Sequence, residues 1–222
     1  MLSLFKKDVM ISRKPMMLIG VLVLIWTIPA FLVQNQIMAQ VVFGYMLFFQ
    51  SYYLAIMLTQ QDEAVKADLI INSLPVNRNL VVAERYLFFI IQPAAMTAFI
   101  LVFSRAVWSI PAPGFPQGQG FSIVGAMVVL PIIWIILTFY LPINYMSIGK
   151  IKVFNQLSFM ALILLPGIAS RFIKGAQMPS WFQGILEMPV GLVVASLIIV
   201  SMTSYFISYQ FSKRIYRNKD FY

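Results

Sequence analysis

The chain contains no cysteine and no histidine among its 222 residues. The absence of cysteine excludes disulfides, thiolate metal sites and thiol nucleophiles. The absence of histidine excludes Ser-His-Asp triads, histidine metal sites and imidazole proton relays. Charged residues are scarce as well, at 10% of the chain against about 25% in average soluble domains. The chain is therefore not expected to be an enzyme by itself.

Apolar residues are abundant in the chain. Hydrophobic residues make up 61% of it, and its mean hydropathy is +0.87. A membrane-spanning helix needs about 20 consecutive apolar residues. The sequence predicts an all-α integral membrane protein with one transmembrane domain, residues 1–222, crossing the bilayer six times. The predicted spans are 15–33, 41–58, 80–103, 122–146, 155–170 and 188–211.

Three segments outside these spans have patterns of their own. Residues 1–14 combine lysine and arginine with apolar residues at helical spacing, which favours an interfacial helix; the alternative is a merely basic tail. Prolines and glycines in 104–121 predict turns outside the membrane. Residues 171–187 place Trp181 and Phe182 among polar residues, which is typical of a re-entrant segment at the extracellular interface.

The basic residues predict the orientation of the chain. With six spans, thirteen of the sixteen lysines and arginines fall on the side that holds both termini. By the positive-inside rule that side is cytoplasmic. The net charge of +9 does not indicate nucleic-acid binding, because the basic residues flank spans instead of forming one basic face.

The most polar internal segment, 59–79, lies between predicted spans two and three. A charge at the bilayer centre costs about 2.5–3.5 kcal/mol, so this segment must lie in water. Its pattern predicts a short helix from Asp62 to Leu74, with Asp62 and Lys66 as an ion pair, the acids near the amino end and Pro75 ending the helix. The pattern fits a docking element for a soluble partner and equally a solvated helix without a partner.

The run Asn72-Ser73-Leu74-Pro75-Val76-Asn77-Arg78 resembles the permease subunits of type-2 ATP-binding-cassette exporters. In that family an SLP-x-x-R segment between spans two and three is a coupling helix that sits in a cleft of the ATPase. Glu84 and Arg85 depart from the small residue and lysine that such proteins often have. The resemblance implies ATPase contacts at Asp62, Glu63, Lys66, Asp68, Asn72, Ser73, Leu74, Pro75 and Arg78.

The same resemblance implies the partners, cargo and location. These are a separate ABC-type ATPase that binds ATP and magnesium, a second copy or a homologous permease, and the bilayer of a bacterial plasma membrane. Within the family the chain is most similar to exporters of amphipathic peptides such as phenol-soluble modulins. Gly149-Lys150 does not fit the P-loop pattern, so nucleotide binding is not expected in this chain.

A weaker hypothesis concerns the substrate path. Tyr45, Phe49 and Tyr52 form an aromatic stripe on predicted span two, which suits an amphipathic peptide, although such stripes more often serve packing. Two other functions stay open from the sequence: the substrate-capture subunit of a vitamin-type uptake system, and a permease that confers immunity or resistance to peptide toxins. An intramembrane enzyme is disfavoured because no span contains a pair of acids.

Overall fold

The computed structural model of the protein describes residues 9–10, 17, 20–21, 25, 36–64, 77–108, 120–146, 151–161, 164 and 188–218. Within these ranges the chain is helical apart from short connecting residues. The helices are α1 (Gln36–Ala64), α2 (Arg78–Trp108), α3 (Ile123–Met146), α4 (151–161) and α5 (Val190–Arg217).

Four of these helices are long and apolar enough to cross a membrane: Met38–Ala64, Arg78–Val107, Ile123–Met146 and Val190–Arg217. They coincide with predicted spans two, three, four and six, and they make the chain a multi-pass helical membrane protein. Most of predicted span one, half of predicted span five, most of the predicted interfacial helix 1–14 and all of the predicted re-entrant segment 171–187 lie outside the described residues. The count of six spans therefore stays a prediction.

Helices α1 and α3 run in the same direction. Near the start of both, the side-chain amide of Gln40 accepts a hydrogen bond from the backbone N–H of Ser122 at 2.9 Å. Near the end of both, the hydroxyls of Thr59 and Tyr140 are 2.8 Å apart. A spanning helix satisfies its own backbone, so these side-chain contacts are available to set the register between the two helices.

Helix α2 runs in the opposite direction to α5. Its first residue, Arg78, hydrogen-bonds to Arg217, the last residue of α5, and the Tyr86 hydroxyl lies 2.7 Å from that of Ser212. Helices α1, α3 and α5 consequently end where α2 begins. We call this the basic end of the bundle, because Lys213, Arg214 and the two arginines above lie there. The alternation of direction agrees with the predicted order of these spans.

Three predicted boundaries are wrong. Asp62 does not begin a separate helix, because α1 continues without interruption from the apolar span to Ala64. The acids Asp62 and Glu63 are thus in the last turn of α1 and not near an amino end. Helix α2 extends to Trp108, into the predicted loop 104–121, and α5 continues past the end of predicted span six, 188–211, to Arg217. In each case the helix extends beyond the last residue of the apolar run, since intrahelical hydrogen bonding does not depend on hydropathy.

Close approach of α1 and α3 depends on Gly44. A Cβ atom added at Gly44 would lie 2.8 Å from Cγ2 of Val129. Small residues at such crossings allow the backbones of membrane helices to pack directly against each other. The glycine is thus required by the packing of the two helices.

We expect Gly44→Leu to destabilise the bundle by about 1–3 kcal/mol, because the added side chain forces α1 and α3 apart. Thermal unfolding in detergent measures this as a lower Tm. The matched control is Gly191→Leu, since a Cβ at Gly191 meets nothing within 4 Å. Val129→Ala should recover part of the loss in the Gly44 variant. Equal Tm values for the two glycine variants would contradict the assigned packing.

Candidate functional site

The polar segment between α1 and α2 is held at both ends by residues that the structure describes. Asp62 and Glu63 lie in the last turn of α1, and Arg78 begins α2. The other six residues expected to contact an ATPase lie outside the described part of the chain: Lys66, Asp68, Asn72, Ser73, Leu74 and Pro75. The structure therefore shows how the segment is attached, and the ATPase contacts stay predictions.

Asp62 forms an ion pair with Arg85, near the start of α2. The two side chains are 20% and 10% exposed, so the pair is largely shielded. The sequence suggested Lys66 as the partner of Asp62; Lys66 is outside the described residues, and Arg85 contacts the carboxylate from the neighbouring helix. Breaking a shielded pair leaves one charge without compensation, which is costly. The two helices that flank the segment are thus joined directly to each other.

Arg78 is engaged by the chain itself. Its Nη1 atom donates a hydrogen bond to the backbone carbonyl of Arg217 at 3.0 Å. The last carbonyls of a helix have no partner within the helix, and a cation at this terminus is electrostatically favourable. Arg78 therefore attaches the start of α2 to the end of α5, whatever it also contacts in a complex.

A cluster of hydroxyl groups joins α2 to α5 one residue beyond Arg85. It consists of Tyr86, Tyr205, Ser208 and Ser212, and we call it the tyrosine–serine cluster. The Tyr86 hydroxyl lies 2.7 Å from the hydroxyls of both serines. Tyr205 donates a hydrogen bond to the Tyr86 carbonyl at 2.8 Å, and the two rings meet edge to face with centroids 5.1 Å apart. All four residues are buried, so these contacts form away from water.

The cluster extends to α3. The Ser208 hydroxyl donates a hydrogen bond to the carbonyl of Thr138 at 2.6 Å. One to two turns closer to the basic end, the rings of Tyr145 and Tyr216 pack edge to face at 5.2 Å. A continuous series of contacts therefore leads from Asp62 at the polar segment through α2 to α5 and α3. Such an arrangement can transmit a displacement of the segment to the spanning helices.

Sequence reasoning missed Arg85 and the tyrosine–serine cluster. The signal was present, because the buried residues of α5 recur at steps of three and four within an apolar helix: Ser201, Tyr205, Ser208, Ser212 and Tyr216. That spacing puts the polar side chains on one stripe. The stripe does not identify the residue that it contacts. The hydrogen bonds of Tyr86 to these serines depend on the packing of α2 against α5.

The proposed substrate stripe has a packing role in this structure. Tyr52 is buried, donates a hydrogen bond to Asn155 at 3.1 Å and packs edge to face on Tyr140 at 5.6 Å. Tyr45 and Phe49 are half-buried, with the Phe49 ring 6.3 Å from that of Phe159 on α4. The stripe thus joins α1 to α3 and α4, and its role in a substrate path stays a prediction.

A model of the family described as "ABC-2 family transporter protein" matches residues 3–217. The match covers nearly the whole chain, including all five described helices. No curated protein and no solved structure matches the chain.

We expect Arg85→Gln to lower the free energy of unfolding by about 3 kcal/mol, because the shielded Asp62 carboxylate loses its cation. Thermal unfolding in detergent measures the loss, and Arg105→Gln serves as the control because Arg105 is exposed at the opposite end of α2. Exchanging the two charges, with Asp62→Arg and Arg85→Asp together, should recover most of the stability. If the Arg85 and Arg105 variants unfold alike, the ion pair does not have the role assigned to it.

Proposed function

The chain belongs to the ABC-2 family of transporter proteins, and we propose that it is the membrane-spanning subunit of an exporter driven by a separate ABC-type ATPase. Membership of the family implies an ABC ATPase as partner and favours a dimer of permeases. In the proposed complex two permease subunits, either two copies of this chain or this chain and a homologue, combine with two ATPase subunits.

The observation that carries this proposal is the attachment of the polar segment. The end of α1, where the segment begins, is joined to α2 through the Asp62–Arg85 ion pair. The start of α2, where the segment ends, is joined to α5 through Arg78. Displacement of either end of the segment would therefore displace the helices to which that end is attached. In the proposed mechanism the ATPase binds residues 62–78. When the two ATPase subunits close on each other they displace this segment, and the displacement switches the transport path between inward-open and outward-open states.

The chemistry of ATP hydrolysis is assigned to the partner. The Gly149-Lys150 pair lacks the glycine-rich spacing of a P-loop, so ATP and magnesium are proposed to bind the ATPase subunit. The basic end is proposed to face the cytoplasm of a bacterial cell, because most lysines and arginines flank that side of the spans. This places the polar segment where an ATPase can reach it.

The proposed cargo is an amphipathic peptide of the phenol-soluble modulin type. The resemblance of this small chain to permeases that export such peptides supports it, and the half-buried rings of Tyr45 and Phe49 supply apolar aromatic surface on α1. An immunity permease would remove the same kind of peptide from the host membrane by the same cycle. A substrate-capture subunit for uptake would instead bind a small solute without its ATPase.

We expect Leu74→Asp to abolish co-purification with the co-expressed ATPase and to abolish peptide-stimulated ATP hydrolysis, because a charge replaces the apolar residue proposed to enter the ATPase cleft. The matched control is Ile123→Asp, an apolar-to-acid change at an exposed residue at the opposite end of the bundle. Retention of both properties in the Leu74 variant would contradict the coupling assignment. Loss of both properties in the two variants alike would contradict it too.

Transport direction is tested in inside-out vesicles that contain the complete complex. An exporter accumulates a phenol-soluble modulin peptide inside these vesicles when ATP is added. Binding of a small solute by the isolated subunit, with no ATP-dependent peptide accumulation, would support the uptake alternative and contradict export.

We expect Tyr86→Phe to weaken coupling while the ATPase stays bound. The change removes the hydrogen bonds to Ser208 and Ser212, with an expected loss of about 1 kcal/mol at roughly 0.6 kcal/mol for each interhelical bond. Peptide-stimulated ATP hydrolysis should fall, and co-purification should not. Tyr209→Phe is the control, because its ring also packs on Tyr86 at 5.4 Å but its hydroxyl is outside the cluster. Unchanged stimulation in the Tyr86 variant would remove the cluster from the transmission path.

A further inference from the structure

A groove of about 390 Å³ opens at the basic end, between the start of α2 and the last turns of α5. Asn79 lines it from α2, and the remaining described lining residues belong to α5. The tyrosine–serine cluster and the Asp62–Arg85 pair do not contribute to it. Of the contacts assigned to coupling, the Arg78–Arg217 hydrogen bond reaches the groove, through the backbone of Arg217.

The polar part of the groove is strongly cationic. Lys213, Arg214 and Arg217 line it, and none of the described lining residues is acidic. Like charges three or four residues apart on a helix disfavour each other. Arg78 already donates a hydrogen bond to the carbonyl of Arg217. The carboxyl end of α5 therefore has a cation beside it without the side chains of these three residues. An anion between them would relieve their repulsion.

Apart from Gln210, the rest of the groove is apolar and extends along α5 away from the basic end. Phe206, Ile207 and Phe211 line it and are 63%, 55% and 58% exposed. The seven-residue step from Phe206 to Lys213 spans about 10 Å along the helix. The cations follow the predicted span 188–211 and are therefore expected at the membrane surface, whereas the three apolar residues lie within that span. The groove thus combines an anion-binding end with an apolar wall at the matching depths.

We propose that this groove binds an anionic phospholipid of the surrounding bilayer. The lipid phosphate lies among Lys213, Arg214 and Arg217, with Asn79 available as a hydrogen-bond donor, and one acyl chain lies along Phe206, Ile207 and Phe211. Basic pockets between membrane helices on the cytoplasmic side suit anionic headgroups. A soluble anion would use the cations alone and would leave the apolar wall unexplained. The proposal holds whichever cargo the transporter carries.

Native mass spectrometry of the purified full-length protein in detergent tests the proposal. Dioleoyl-phosphatidylglycerol and dioleoyl-phosphatidylcholine are added at equal concentration, and the bound adducts are counted. The native protein should bind phosphatidylglycerol preferentially, and each of Lys213→Gln, Arg214→Gln and Arg217→Gln should weaken this binding about fivefold. The matched control is Arg105→Gln, the exposed cation at the opposite end of α2, which should keep the preference.

Three results would overturn the proposal: no preference for phosphatidylglycerol in the native protein, an unchanged preference when all three α5 cations are replaced, or an equal loss in the Arg105 control. Glycerol 3-phosphate separates the lipid from a soluble anion. It should fail to displace the lipid at millimolar concentration, and displacement would assign the groove to a soluble anion instead. If the triple variant does not fold, the single variants and Phe206→Gln, which removes part of the apolar wall, give the same decision.

Discussion

The ion pair between Asp62 and Arg85 is the contact on which the arrangement of the basic end depends. It lies at the level where apolar spans give way to a polar segment, and it is largely shielded from water. Breaking a shielded pair is costly, because each charge loses the opposite charge closest to it. The pair therefore keeps the end of α1 against the start of α2, and the polar segment is carried by two helices that move together.

Beyond this pair, polar contacts and small residues hold the helices in register. Lipid is as apolar as leucine, so burying leucine between helices offers little advantage over exposing it to the bilayer. Helix α5 shows the consequence: its buried residues are serines and tyrosines, while Phe206 and Phe211 are exposed. Gly44 has the corresponding role between α1 and α3, where it permits close approach. The interface of α5 is thus organised by hydrogen bonds and fit, whereas large apolar side chains such as Phe43, Leu47 and Phe89 are buried elsewhere in the bundle.

Two functions proposed for the basic end use different faces of the same helices. The transmission path runs through the buried face of α5, where Tyr86 meets Ser208 and Ser212. The proposed lipid groove uses an exposed face of α5, with its cations at the membrane surface. A bound anionic lipid would fix the depth of α5 in the bilayer, giving the helices that carry the polar segment a stable element to move against.

The sequence by itself determined the membrane class, the all-helical architecture, the positions of the four described spans and the similarity of the 72–78 run to an ABC exporter family, because hydropathy and local motifs follow from neighbouring residues alone. It misplaced helix ends at Asp62, Trp108 and Arg217, since hydropathy marks where lipid ends and not where backbone hydrogen bonding stops. Its prediction of Lys66 as a partner of Asp62 falls outside the described residues. Only the tertiary structure decided that Arg85 pairs with Asp62, that Tyr86 meets the serines of α5 and that three cations share a groove with exposed phenylalanines. Those relations join residues from distant parts of the chain, and they depend on how the helices pack.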